Sequence, residues 1–80
     1  MSLSSDQQSL LTALGACIRS ERVALKMTQE RLAELVGVNP RTVQKIEAGK
    51  LNILVTTLAR IQVALDCDWA DLLGSRRRRG

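Results

Sequence analysis

The chain contains no histidine, and its two cysteines, Cys17 and Cys67, lie fifty residues apart without the paired spacing of a zinc site. A metal centre is therefore not expected, and no cofactor is implied. There is no glycine-rich phosphate loop and no nucleophile with an evident base, so enzyme activity has no support. Trp69 is the only aromatic residue. The core is left to Leu, Ile, Val, Ala and Met, a set suited to packing between helices. No secretory signal or membrane-spanning run is visible, and with the cysteines read as reduced thiols the expected location is the cytoplasm. Met1-Ser2-Leu3 reads as a cloning scar.

Eighty residues make one domain, large enough for a helical core yet small enough that dimerisation would add useful burial. The formal net charge of +4 comes entirely from Arg76 to Arg79. Residues 1–75 sum to zero and form the domain, with 76–80 as a basic tail. That run reads most simply as a flexible, solvated tail. As an arm on phosphates it would steepen the salt dependence of binding by about 0.9 log units per contact. Position says more than the total: from Asn39 to Lys50 three basic residues stand against one acid, whereas Asp66, Asp68 and Asp71 gather near the far end. The domain is expected to be dipolar, with a basic face and a more acidic opposite end.

The stretch Thr28 to Lys50 reads as two short amphipathic helices joined by a tight turn. Thr28 can accept the free N–H groups of an opening turn, and Leu32, Leu35 and Val36 recur at a spacing that predicts one inward face. Gly37 takes positive φ at low cost just after a helix end, and Asn39-Pro40 is a cap followed by a first-turn residue. A turn of about three residues is what a helix-turn-helix requires. In the second helix Val43 and Ile46 fall on one side and Arg41, Gln44, Lys45 and Ala48 on the other. Arg grips the acceptor edge of guanine in the major groove, Lys reaches the same acceptors or a phosphate, and Gln matches the donor–acceptor pair of adenine.

Ser5 followed by Gln8 predicts a capping box for a first helix running to about Leu25. Its apolar stripe Leu11, Leu14, Ile18 and Leu25 contains Arg22, an odd place for a guanidinium without a partner. Glu47 beside Ile46 points to the core side of the second motif helix. An unpaired buried charge costs several kcal/mol and a good pair only about breaks even, so Arg22–Glu47 reads as an orientation device. Leu54, Leu58, Ile61 and Leu65 predict a fourth helix without an obvious N-cap, and Asp68 is expected to cap a short fifth helix carrying Trp69, Leu72 and Leu73.

These pieces together resemble the lambda-repressor-like, Cro- and Xre-type helix-turn-helix family. The similarity runs from about Leu14 to Leu73, with the motif at about 28–48. It rests on Ile18-Arg19 and Arg22, Met27-Thr28-Gln29-Glu30-Arg31-Leu32-Ala33, Gly37-Val38, Ile46-Glu47-Ala48-Gly49-Lys50, Asn52, Thr57-Leu58 and Ala64-Leu65. The resemblance implies a compact, all-α, five-helix domain with the Arg22–Glu47 salt bridge inside. It implies a phosphate contact for Gln29, further backbone contacts from the loop holding Lys50 and Asn52, and base contacts at Pro40, Arg41, Thr42 and Lys45. Pro40 departs from the pattern, because proline cannot hydrogen-bond a base edge, and its weight passes to Arg41 and Lys45. Lys26 stands where the family often has glycine, Ile53-Leu54-Val55 replaces the usual Pro-Ser-Leu, and Cys67 falls where relatives carry a small apolar residue.

The reading that follows is a transcriptional regulator, more often a repressor, that binds a palindromic operator as a homodimer. Arg41, Thr42, Gln44 and Lys45 are expected at the bases and Gln29, Asn39, Lys50 and Asn52 at the backbone. Many relatives dimerise through the C-terminal region, and Val63, Trp69 and Leu72 are expected at such an interface; the lone Trp69 reads either as its anchor, the favoured reading, or as closing the core beneath the last helix. Two other readings share the fold: an antitoxin that sequesters a toxin, and a protein-bridging module that does not read DNA.

Overall fold

The structure, a computed structural model, describes residues 4–74. The arginine run 76–79 lies outside the described residues. Ser4 begins α1 (Ser5–Ala24) through a reciprocal capping box: its hydroxyl accepts from the Gln7 N–H at 3.1 Å and its own N–H donates to Gln7 Oε1 at 2.9 Å. The expected pair Ser5 and Gln8 is thus one residue late. Gln8 reaches instead to the carbonyl of Gly49, 2.8 Å away. The helix closes on the cap residue Leu25, and Lys26 just beyond it has φ 57°, a non-glycine in the left-handed region.

Thr28 caps α2 (Gln29–Val36) by accepting from the Arg31 N–H at 3.0 Å, and Gly37 closes it at φ 85°. Asn39 caps α3 (Pro40–Glu47), accepting from the Arg41 N–H at 2.8 Å. Next comes α4 (Val55–Leu65), which has no side-chain cap and ends on Asp66 at φ 51°. The last segment, α5 (Ala70–Gly74), is one widened π-type turn. Here the capping differs from expectation: the Asp71 carboxylate accepts from the Asp68 N–H at 2.9 Å, rather than Asp68 capping the turn. Among the described residues the chain is all-helical, with five segments and no strand.

One apolar core, including Leu14, Ile18, Leu32, Val36, Ile46, Leu58, Ile61, Leu65 and Leu72, joins all five segments. Leu35 is not part of it, at 45% exposure. At about 100° per residue, Leu32, Val36 and Ala33 span a sector whose centre lies roughly 105° from Leu35. In so short a helix, buried Ala33 completes the inward face and Leu35 does not. Leu25 and Leu54 are exposed for a simpler reason: each is a cap residue just outside its helix. Cys67 is buried and its thiol pKa is pushed up, first by burial and then by Glu21, Asp71, Asp68 and Asp66.

The crossing of α1 over α3 depends on Gly15, a residue no local pattern singles out. A Cβ there would overlap the carbonyls of Ile46 and Glu47, lying 2.7 Å from the Glu47 oxygen. Alanine would gain about 1 kcal/mol in helix propensity. Forcing backbone against backbone costs about 1–3 kcal/mol, which wins because a helix carbonyl cannot swing aside as a side-chain tip can. Gly15→Ala should therefore lower the urea midpoint of unfolding; an equal or higher midpoint would contradict the close crossing.

Candidate nucleic-acid interface

Because α3 buries Val43 and Ile46, helical geometry fixes what faces away. Arg41 and Lys45 fall about 160° and 200° round the helix from Val43, with Gln44 nearer the flank. All three are exposed, and so is Ala48. Thr42 is only half-exposed, on the opposite flank. The result is a narrow outward strip carrying two cations and an amide at its edge.

Glu47 leaves that strip and turns inward. Arg22 Nε donates to Glu47 Oε2 at 2.7 Å and Arg22 Nη2 to Glu47 Oε1 at 3.0 Å, a two-pronged pairing of guanidinium and carboxylate. Both side chains are well buried, at 11% and 4% exposure. The third guanidinium arm, Nη1, donates to the Met27 carbonyl at 2.7 Å. The hydrogen bonds that Arg22 donates to Glu47 push its pKa further up and outweigh the opposing effect of burial. This pair fastens α3 to α1 and to the approach to α2.

Gln29 joins the same network, its Nε2 donating to Glu47 Oε1 at 3.0 Å. One amide hydrogen is thereby used internally, and the second remains for a ligand. Beside it, an open cleft of about 550 Å³ is bordered by Arg19, Thr28, Gln29, Gln44 and Ala48 and by the paired Arg22 and Glu47, which neutralise each other. The cleft lies at the positive end of the α2 dipole, where free backbone N–H groups and a cation favour an anion. Sequence reasoning assigned no role to Arg19, whose exposed guanidinium borders this cleft from α1.

Asn39 is exposed but already employed, since its Oδ1 caps α3. Only its amide nitrogen is left to donate. Lys50 and Asn52 are exposed in the loop after α3. The Lys50 N–H bonds back to the Lys45 carbonyl at 2.9 Å, folding the loop against the end of the helix. Of the three residues expected in a dimer interface, Val63 is 73% and Trp69 41% exposed. Leu72 corrects the expectation. It is 1% exposed in the core of the single chain, because the π-type turn packs against α1, and so it is closed to a partner.

The helix-turn-helix family model matches residues 18–72, most of the chain. The chain belongs to the lambda-repressor-like, Cro- and Xre-type helix-turn-helix family. It is a DNA-binding regulator of transcription, in a family of regulators rather than enzymes. The fold is also similar to the crystal structure of the restriction-modification controller protein C.AhdI from Aeromonas hydrophila. The TM-score is 0.75 at 30% identity, over 79% of this chain and 96% of that one. No helix among the described residues is long and apolar enough to cross a membrane.

Proposed function

We propose that this chain is a cytoplasmic repressor of the restriction-modification controller type, binding a palindromic operator as a homodimer. Each α3 enters the major groove about one helical turn from the other. The observation that carries the reading is the outward strip of α3, with Arg41 and Lys45 opposite the buried Val43 and Ile46. Arg41 and Lys45 read base edges, with Gln44 and the half-exposed Thr42 assisting from the flanks. Gln29, Asn39, Lys50 and Asn52 hold the sugar–phosphate backbone. The domain ends near residue 75.

Self-association is supported by an apolar groove of about 430 Å³ between α2 and α4, lined by Leu35, Ala59, Arg60, Val63 and Ala64. Leu35 and Val63 are both exposed there. In a palindromic complex this face, with Trp69, packs on a second copy. Sedimentation equilibrium should show a dimer at micromolar protein, and a monomer bound as a single half-site would contradict the proposal.

Arg41→Ala should weaken operator binding by about 1–3 kcal/mol and relax preference at one base pair of each half-site. Gln29→Ala should weaken binding to all sequences alike, because a phosphate contact carries no base information. Competition between operator and scrambled duplexes separates the two. An Arg41→Ala protein with unchanged sequence preference would remove the base-reading assignment.

A further inference from the structure

Glu21 of α1, Cys67 of the link between α4 and α5, and Asp71 of α5 converge at the acidic end of the domain. The Cys67 Sγ and the two carboxylates each offer an atom, and these atoms all lie within 4.8 Å of one another. Linear spacing hides this group, since its members are spread over three segments and only one is a cysteine. Cys67 is 9% exposed, and among the described residues its thiol has no hydrogen-bond partner; only its backbone is engaged, the N–H donating to the Gln62 carbonyl and the carbonyl accepting from Gln62 Nε2. The described ion pairs are Arg22–Glu47 and Arg31–Glu34. Thus Glu21, Asp66, Asp68 and Asp71 gather near this thiol with no basic partner among the described residues.

We propose that Glu21, Cys67 and Asp71 form a three-ligand site for a divalent cation of the zinc class. The donor set selects the metal. A thiolate disfavours magnesium and calcium, which take oxygen donors, whereas zinc accepts sulfur and carboxylate oxygen together. Three protein ligands leave a fourth tetrahedral position for water. Ligand atoms on tetrahedral zinc sit about 3.5 Å apart, so the observed spread closes by rotation of Glu21 and Asp71, whose side chains reach solvent. The Asp68 N–H donates to Asp71 Oδ2 at 2.9 Å, an outer contact that leaves the carboxylate a further oxygen lone pair for an ion. On binding, the thiol proton leaves to solvent as the metal–sulfur bond forms. The bound ion would clip α5 to α1 and so fix the segment that carries Trp69. The site uses none of the residues assigned to DNA.

Titration of the reduced, full-length chain with Co²⁺ tests the proposal. One Co²⁺ per chain should bind, with tetrahedral visible bands and a near-ultraviolet thiolate-to-cobalt charge-transfer band, both erased by added Zn²⁺. Cys67→Ser should remove the charge-transfer band, and Cys17→Ser should leave it intact. Glu21→Gln and Asp71→Asn leave the core untouched and should each weaken Co²⁺ binding by about tenfold or more. The absence of a thiolate band, a band that depends on Cys17, or an affinity indifferent to both carboxamide variants would overturn the site.

Discussion

Glu47→Ala is expected to lower the free energy of unfolding by about 3–5 kcal/mol, because it strands the Arg22 guanidinium in a buried site. Arg22 would lose two of its three hydrogen bonds and Gln29 its donor contact to the carboxylate. A domain of this size has roughly 5–15 kcal/mol in total, so the loss is a large fraction of the whole. Denaturant titration followed by circular dichroism measures it. A second variant separates stability from orientation. Replacing the pair together, Arg22→Met with Glu47→Leu, removes the stranded charge and should restore most of the stability, since a buried pair gains little over apolar packing. It also removes the link that sets α3 against α1 and the start of α2. If the pair is an orientation device, the double variant folds but binds DNA less tightly than the unaltered chain. A cost below about 1 kcal/mol for Glu47→Ala would place the pair in solvent, against the observed burial.

Leu72→Ala should destabilise the single chain by about 2–5 kcal/mol, the range for truncating a buried leucine. Its 1% exposure and its place among the core residues make this a cavity, not a lost partner contact. The melting temperature should fall by a similar amount at every protein concentration. Val63→Asp should behave oppositely: Val63 is 73% exposed, so the monomer should fold as before. The proposed dimer should weaken, and with it binding to a two-half-site operator. Thermal melts over a range of concentrations, paired with sedimentation, distinguish the two. A Leu72→Ala effect that vanished as the protein was diluted would return this residue to an interface.

The helix-turn-helix was legible because its signals are local. Thr28, Gly37 and Asn39-Pro40 each act within a few residues, and the same residues bound α2 and α3 in the structure. Local signals failed where geometry depends on a partner element. Leu35 and Ala33 compete for the inward face of an eight-residue helix, and only the placement of α3 and α4 decides between them. Leu72 and Leu73 both looked apolar at a chain end, and a π-type turn buries one and leaves the other 41% exposed. The reversed capping at Asp68 and Asp71 has the same origin, because three-residue spacing between two carboxylates permits either direction. Gly15 carried no pattern at all, and Arg19 entered only as part of the family resemblance, without a role: their meaning lies in the crossing with α3 and in the cleft beside Gln29. Fold class and motif were thus readable from short-range chemistry, whereas the acidic cluster around Cys67 is purely tertiary.

The central claim is that α3 reads sequence, and selection of bound sites from a random duplex pool at near-physiological salt tests it most directly. The full chain and a chain ending at residue 75 would be selected in parallel. One palindromic motif is expected in both, with half-sites about one helical turn apart. No enriched motif, or one that disappears with the arginines, would contradict sequence reading by α3.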